Sequence, residues 1–307
     1  MGNIVRHPSL EQLMLNDTDI SSYLLESEGA VKLKSPRTWE QELIDDIFAP
    51  DENKGTFLPW PSMSGFRLRP GELTVWGGYN ESRKSLITGQ VMLACADQGD
   101  PVVIASFEMP PKETIKRMLF QWLGKVGPTR RDISEFIEWA QGKIWIYDQV
   151  GRCEASKLFA VMRYAADKLS AKHFVVDSLM RVVRGTDDYS GQKDTVDQML
   201  AIAKDTEMHV HLVAHNKKPQ AGEKQSRYSI KGASEISDLA FNVVIIERPE
   251  DADGKKPDDK PDAWLKVGKQ RNHNWKGCQA LFLQGETGAF SEQRHFMNVI
   301  FGTLKTS

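Results

Sequence analysis

Between residues 72 and 214, short apolar runs alternate with amphipathic segments, and this restricts the fold of the 307-residue chain more than any other feature. ELTVWG (72–77), PVVIASF (101–107), KIWIYD (143–148), HFVVD (173–177) and HVHLVA (209–214) read as strands. Their continuous apolar character suits strands buried on both faces. Helical spacing fills the intervals. SLITGQVMLACADQ follows the first run, and Ile115, Met118, Leu119, Trp122 and Leu123 follow the second. Leu158, Val161, Met162, Ala165 and Leu169 share one face, as do Val196, Met199, Leu200 and Ala203. Strands separated by such helices run parallel, with helices on both faces. The expected fold class is α/β, a mostly parallel sheet flanked by helices. After residue 240 the texture becomes strand-like in FNVVIIE, AWLKVGK and QALFLQ, with RPEDADGKKPDDKPD read as a mobile loop between the first two.

Upstream, apolar periodicity surfaces around Leu10–Leu15 and Trp39–Phe48, the second introduced by Ser35-Pro36, a helix-start signal. FLPWPSMSGFRLRPGE leads into the main domain. The expected division is a helical extension and linker over 1–60 and one large domain over 61–307.

Composition narrows the function classes. Forty basic against 42 acidic residues give a net charge of −2, which excludes a broad basic coat for nucleic acid and leaves local contacts open. Cys95, Cys153 and Cys278 form no CxxC pair, so neither a zinc ribbon nor a disulfide framework is expected. No apolar run reaches the roughly 20 residues that cross a bilayer. The start of the chain resembles no secretory leader, and Arg6 stands where myristoylation wants a hydroxyl. A cytoplasmic protein without a membrane partner is expected.

Five places carry candidate chemistry. Gly77-Gly78-Tyr79-Asn80-Glu81-Ser82-Arg83-Lys84-Ser85 follows a strand and opens a helix, the setting in which loop amides and a helix N-terminus cradle phosphate. Against GxxxxGK[ST], Gly78, Lys84 and Ser85 match, while Arg83 stands where the second Gly belongs. Glu108 follows a strand and suits water activation; Asp177 closes another and suits Mg²⁺. His215 ends a third, followed by Asn216, Lys217, Lys218 and, further on, Lys224. Lys269 and Arg271 lie in a basic strand end. Each has an ordinary reading: a chance Lys-Ser, helix-dipole or capping carboxylates, a solvated basic loop. Their order is more restrictive. Lys84-Ser85, Glu108, Asp177 and His215 all stand just past parallel-strand candidates, where open sheets bind ligands.

RPGELTVWGG, SFEMPPKETIKRML, LVAHNKKP, KGASEISDLAFNVVIIER and VGKQRN make the chain from about Phe66 to Phe290 resemble the hexameric replicative helicases related to DnaB, the phage primase–helicases and mitochondrial Twinkle. The His after the fifth strand looks more like the Twinkle and phage members. The resemblance implies a RecA-like core that hydrolyses ATP or another NTP with Mg²⁺ and moves on single-stranded DNA. Lys84 and Ser85 would meet phosphate and Mg²⁺, with Gly78 to Ser85 as the nucleotide-binding loop. Glu108 would be the catalytic carboxylate, Asp177 the metal acid and His215 the γ-phosphate sensor. Asn216, Lys217, Lys218 and Lys224 would contact DNA, and Lys269 and Arg271 would act on the adjacent subunit of a homo-hexameric ring. Primase ligands are missing, so a separate primase and polymerase are expected, in a host cytoplasm if the chain is phage-encoded. Arg83 leaves two alternatives: its guanidinium neutralises phosphate, or it obstructs the loop. The rival classes are a RecA- or KaiC-like ATPase and a nucleotide-gated DNA-loading factor with weak hydrolysis.

Overall fold

The computed structural model describes residues 35–48, 50, 54–183, 188–216, 229–230, 235–249, 258–272 and 275–294. Two compact units divide the chain, Met1–Lys54 and Gly55–Ser307. Within the first, a 3₁₀ turn at Pro36–Trp39 runs into helix α1, Glu40–Phe48, as the spacing predicts. The segment around Leu10–Leu15 lies outside the described residues, as does most of the loop between FNVVIIE and AWLKVGK.

The second unit is built on a nine-stranded sheet among the described residues. A small hairpin, β1 (Thr56–Phe57) with β2 (Arg67–Leu68), precedes it. The sheet strands are β3 (Leu73–Gly78), β4 (Val102–Ser106), β5 (Ile144–Ile146), β6 (His173–Asp177), β7 (His209–His215), β8 (Asn242–Glu247), β9 (Ala263–Gln270), β10 (Cys278–Leu283) and β11 (Phe290–Ser291). Their spatial order is β11-β10-β9-β8-β3-β7-β6-β4-β5. Strands β8, β3, β7, β6, β4 and β5 are mutually parallel, whereas β9, β10 and β11 extend the sheet antiparallel. The intervening helices are α2 (Lys84–Asp97), α3 (Pro111–Leu123), α4 (Arg130–Ala140), α5 (Ala155–Leu169), α6 (Tyr189–Thr206) and α7 (Glu235–Leu239).

Alternation along the strands sorts the core into two layers. Val75, Phe174, Val176 and Leu212 face one side, covered by Leu158 and Met162 of α5 and Val196 and Met199 of α6. Trp76, Val175, Val213 and Val244 face the other, covered by Ile87 and Val91 of α2 and Met118 of α3. Helix α4 lies outside the periodic segments read from the sequence. A capping box starts it: Thr129 Oγ1 accepts from Asp132 N at 3.2 Å, and Asp132 Oδ2 accepts from Thr129 N at 2.7 Å. Phe136 and Trp139 then pack against Trp122 of α3.

A buried polar chain crosses the α2 side of the sheet. Indole is a donor only, so Trp76 Nε1–H donates to His211 Nδ1 (3.2 Å), leaving the proton of neutral His211 on Nε2. That proton is given to His173 Nδ1 (3.0 Å), and His173 Nε2–H then faces Thr56 Oγ1 (3.1 Å), whose hydroxyl donates to Asp100 Oδ2 (2.5 Å). His209 Nδ1–H donates to Arg69 O (2.6 Å), and its Nε2 accepts from Thr74 (2.8 Å). Every partner suits a neutral ring. Burial, then neighbouring His173, pushes His209 down to about 3; burial, then His209 and His173, holds His211 well below its usual range.

The sign follows. Below pH 6.5 the unfolded chain binds protons that the folded rings refuse, so stability is full above that pH and falls as acid is added. His209 alone is expected to remove about 2 kcal/mol between pH 6.5 and 5, and His211 acts in the same direction. Buried Glu72 and Asp177, whose pKa values are raised, oppose this. Urea unfolding of native chain and His209→Gln at pH 7 and pH 5 isolates the contribution. The variant should show the shallower loss; parallel losses contradict the assignment.

Candidate nucleotide site

Strand register sets the site. β3 pairs with β7 so that Gly78 stands opposite His215, and β4 with β6 so that Ser106 stands opposite Asp177. The carboxyl ends of four adjacent strands therefore line up at one edge. Ser85, Glu108, Asp177 and His215 line a cavity of about 230 Å³ there, with Glu81, Arg83, Lys84, Leu86 and Arg117.

The loop after β3 turns sharply. Glu81 (φ 65°) and Arg83 (φ 67°) are both left-handed, a region favoured by glycine. Gly78 needs its missing Cβ, because a methyl group would stand 2.6 Å from Ile246 O. Tyr79 is half-buried and Asn80 exposed, while Ser82 is buried with its hydroxyl making no hydrogen bond. Lys84 is buried at the start of α2. Its Nζ donates to Gly78 O (3.0 Å) and Tyr79 O (2.6 Å), bracing the turn from inside. Burial lowers the Lys84 pKa to about 8, against the opposing pull of Asp177 and Glu108.

Ser85 Oγ donates to Asp177 Oδ2 at 2.6 Å. Burial raises the Asp177 pKa; the Ser85 hydrogen bond and Lys84 oppose it, and the Glu108 charge adds to it. Glu108 is more open. Its Oε1 accepts from Ser178 Oγ (3.1 Å) and Arg181 Nε (3.4 Å) and lies 3.9 Å from His215 Nε2. Asn216, buried beyond His215, donates its backbone N–H to Gly78 O (2.9 Å), tying the tip of β7 to the start of the loop.

Lys217, Lys218 and Lys224 lie outside the described residues. Lys269 and Arg271 do not join this cavity. Gln270 pairs with Asn242 at the start of β8, so both sit at the opposite edge of the sheet. Lys269 Nζ donates to Ser237 O (2.9 Å) and Asp238 O (2.8 Å), and Arg271 donates to Asp238 O (2.8 Å) with its guanidinium over Phe241. Arg117 was missed from sequence. Its signal is position: it lies one turn beyond buried Thr114 on α3, the helix directly after Glu108.

A strand–loop–helix turn with a buried Lys, a hydroxyl–carboxylate pair and polar groups on neighbouring strand tips defines a nucleotide-binding P-loop domain of RecA-like fold. The chain belongs to the AAA domain family, which matches residues 59–221. Among solved structures it is similar to the ATPase domain of a phage helicase (TM-score 0.72, 15% identity, covering 84% of this chain and 99% of that one). It is also similar to a DnaB-like replicative helicase, described together with its interactions with primase (TM-score 0.68, 16% identity, covering 84% and 67%). Among the described residues no helix is long and apolar enough to cross a membrane.

Proposed function

We propose that this chain is the motor of a DNA helicase, hydrolysing ATP or another nucleoside triphosphate to move on single-stranded DNA. The observation that carries this reading is the convergence of Lys84, Ser85, Glu108, Asp177 and His215 on one cavity at the sheet's carboxyl edge. The amides of the 79–85 turn and the start of α2 cradle the phosphates, and Lys84 exchanges two carbonyls for phosphate oxygens. Ser85 and Asp177 are hard oxygen donors already in contact, which suits Mg²⁺. When bound, that ion neutralises charge on the phosphates. Glu108 orients and deprotonates the attacking water, and His215 beside it senses the terminal phosphate.

The link to DNA runs through Asn216, whose backbone is bonded to the phosphate loop and which leads into Lys217, Lys218 and Lys224 as the DNA-contacting segment. Lys269 and Arg271, remote from their own chain's cavity, serve the nucleotide of a neighbouring copy, which calls for a homo-oligomeric, hexameric ring. The motor begins at Gly55, where the second compact unit starts, instead of at residue 61, and the residues before it form the extension. The similarity to a helicase described with primase supports a separate primase as partner, with a polymerase beside it, in the cytoplasm of the host. The test is MgATP turnover by the full chain with and without a single-stranded oligonucleotide, and the expected result is clear stimulation.

A further inference from the structure

Arg83 occupies the loop position at which the phosphate-binding pattern calls for glycine, and the structure shows where its side chain goes. Its backbone is left-handed (φ 67°, ψ 26°), so the arginine has adopted the loop's geometry without forcing the turn open. The guanidinium reaches Asp262, at the start of β9, with Nη1 3.5 Å from Oδ1. That pair is loose: Nη1 is buried yet makes no hydrogen bond. Asp262, by contrast, is anchored. Its Oδ2 accepts from Leu283 N (3.0 Å), and its own N–H donates to Leu281 O (2.8 Å). Arg83 also lines the same cavity as Lys84, Ser85 and Glu108. A cation with an unused buried donor thus stands between a fixed carboxylate and the space offered to phosphate.

We propose that Arg83 and Asp262 form a charge latch on the phosphate loop: a bound polyphosphate draws the guanidinium from Asp262, and Asp262 takes it back when the phosphates leave. The proposal rests on the phosphate site argued above and adds its regulation. Arginine binds phosphate through paired charge-assisted hydrogen bonds, which a single 3.5 Å contact with a carboxylate does not match. Asp262 therefore acts as a competitor of the ligand, and its charge sets how readily the loop loads and unloads. Arg83 is a ligand-contacting residue in this scheme, and Asp262 acts only through it.

Isothermal titration of the full chain with magnesium AMP-PNP tests the latch. Arg83→Gln should weaken binding about tenfold, the size of one charge-assisted contact. Asp262→Asn keeps the acceptor for Leu283 N while removing the charge, and should tighten binding about threefold. In the Arg83→Gln background, Asp262→Asn should change nothing, because the competitor has lost its target. A merely structural pair would weaken binding in both single variants and lower both melting temperatures together. The latch is overturned if Arg83→Gln binds as well as the native chain or better, or if Asp262→Asn weakens binding, leaves it unchanged, or acts equally in both backgrounds. Lys84→Ala separates the two levels. Native binding that survives Lys84→Ala sinks the phosphate-site reading itself, whereas Lys84-dependent binding indifferent to Arg83 and Asp262 sinks only the latch.

Discussion

Lys84→Ala is expected to lower nucleoside triphosphate turnover by about a thousandfold while leaving the melting temperature within a degree or two of the native chain. The two halves of this result have one cause. In the folded chain the Lys84 ammonium is buried against Gly78 O and Tyr79 O, and burial pulls its pKa down to about 8. A desolvated cation contributes little to folding, and Gly78 O keeps a second partner in Asn216 N–H. Its use is therefore to the ligand. Phosphate oxygens restore the solvation that burial removed, most strongly where negative charge gathers on the terminal phosphate. Steady-state hydrolysis with a thermal melt on the same sample checks both halves. Turnover within threefold of native contradicts the site, and a collapse of folding together with activity contradicts the assigned role.

Glu108→Gln separates chemistry from binding. Turnover is expected to fall by at least about a hundredfold, the size of a general-base contribution, while the dissociation constant for MgATP stays within about twofold. Glu108 holds Ser178 and Arg181 through one carboxylate oxygen, and glutamine retains an oxygen there, so local structure should survive. The amide cannot take a proton from water. Single-turnover kinetics read the hydrolysis step directly. Loss of binding comparable to the loss of turnover would move Glu108 from the water to the phosphates and leave the reaction without a base.

The sheet was legible because its strands are buried on both faces. Runs such as VVIAS and HFVVD carry little polar residue to blur them, and each ends at a polar group on the ligand edge. Lys84, Ser85, Glu108, Asp177 and His215 could be nominated for that reason: topology alone delivers strand tips to one edge. Helix α4 was hidden, since the charges of RRDISEFIEWA dilute an apolar stripe that rests mainly on Phe136. Arg117 was hidden too, because one arginine on a charged helix has no distinguishing spacing. The histidine chain escaped for another reason. His209 and His211 alternate with apolar residues, which reads as a half-solvated strand, yet both rings are buried and satisfied by groups far away in sequence. No local pattern encodes Trp76, Thr56 and Asp100 as partners. The conformation of Arg83 and its pairing with Asp262 likewise depend on β9 returning beside β8, a contact between residues 179 positions apart.

The central claim is that the turn at Lys84 holds a triphosphate whose hydrolysis answers to DNA. Titrating a single-stranded oligonucleotide into the full chain with MgATP, and following phosphate release at low and high salt, tests it most directly. Release should rise about tenfold or more as the strand saturates, with the saturation point moving to higher strand concentration as salt increases. Release that ignores the strand at every salt concentration would leave a nucleotide-binding domain and no motor.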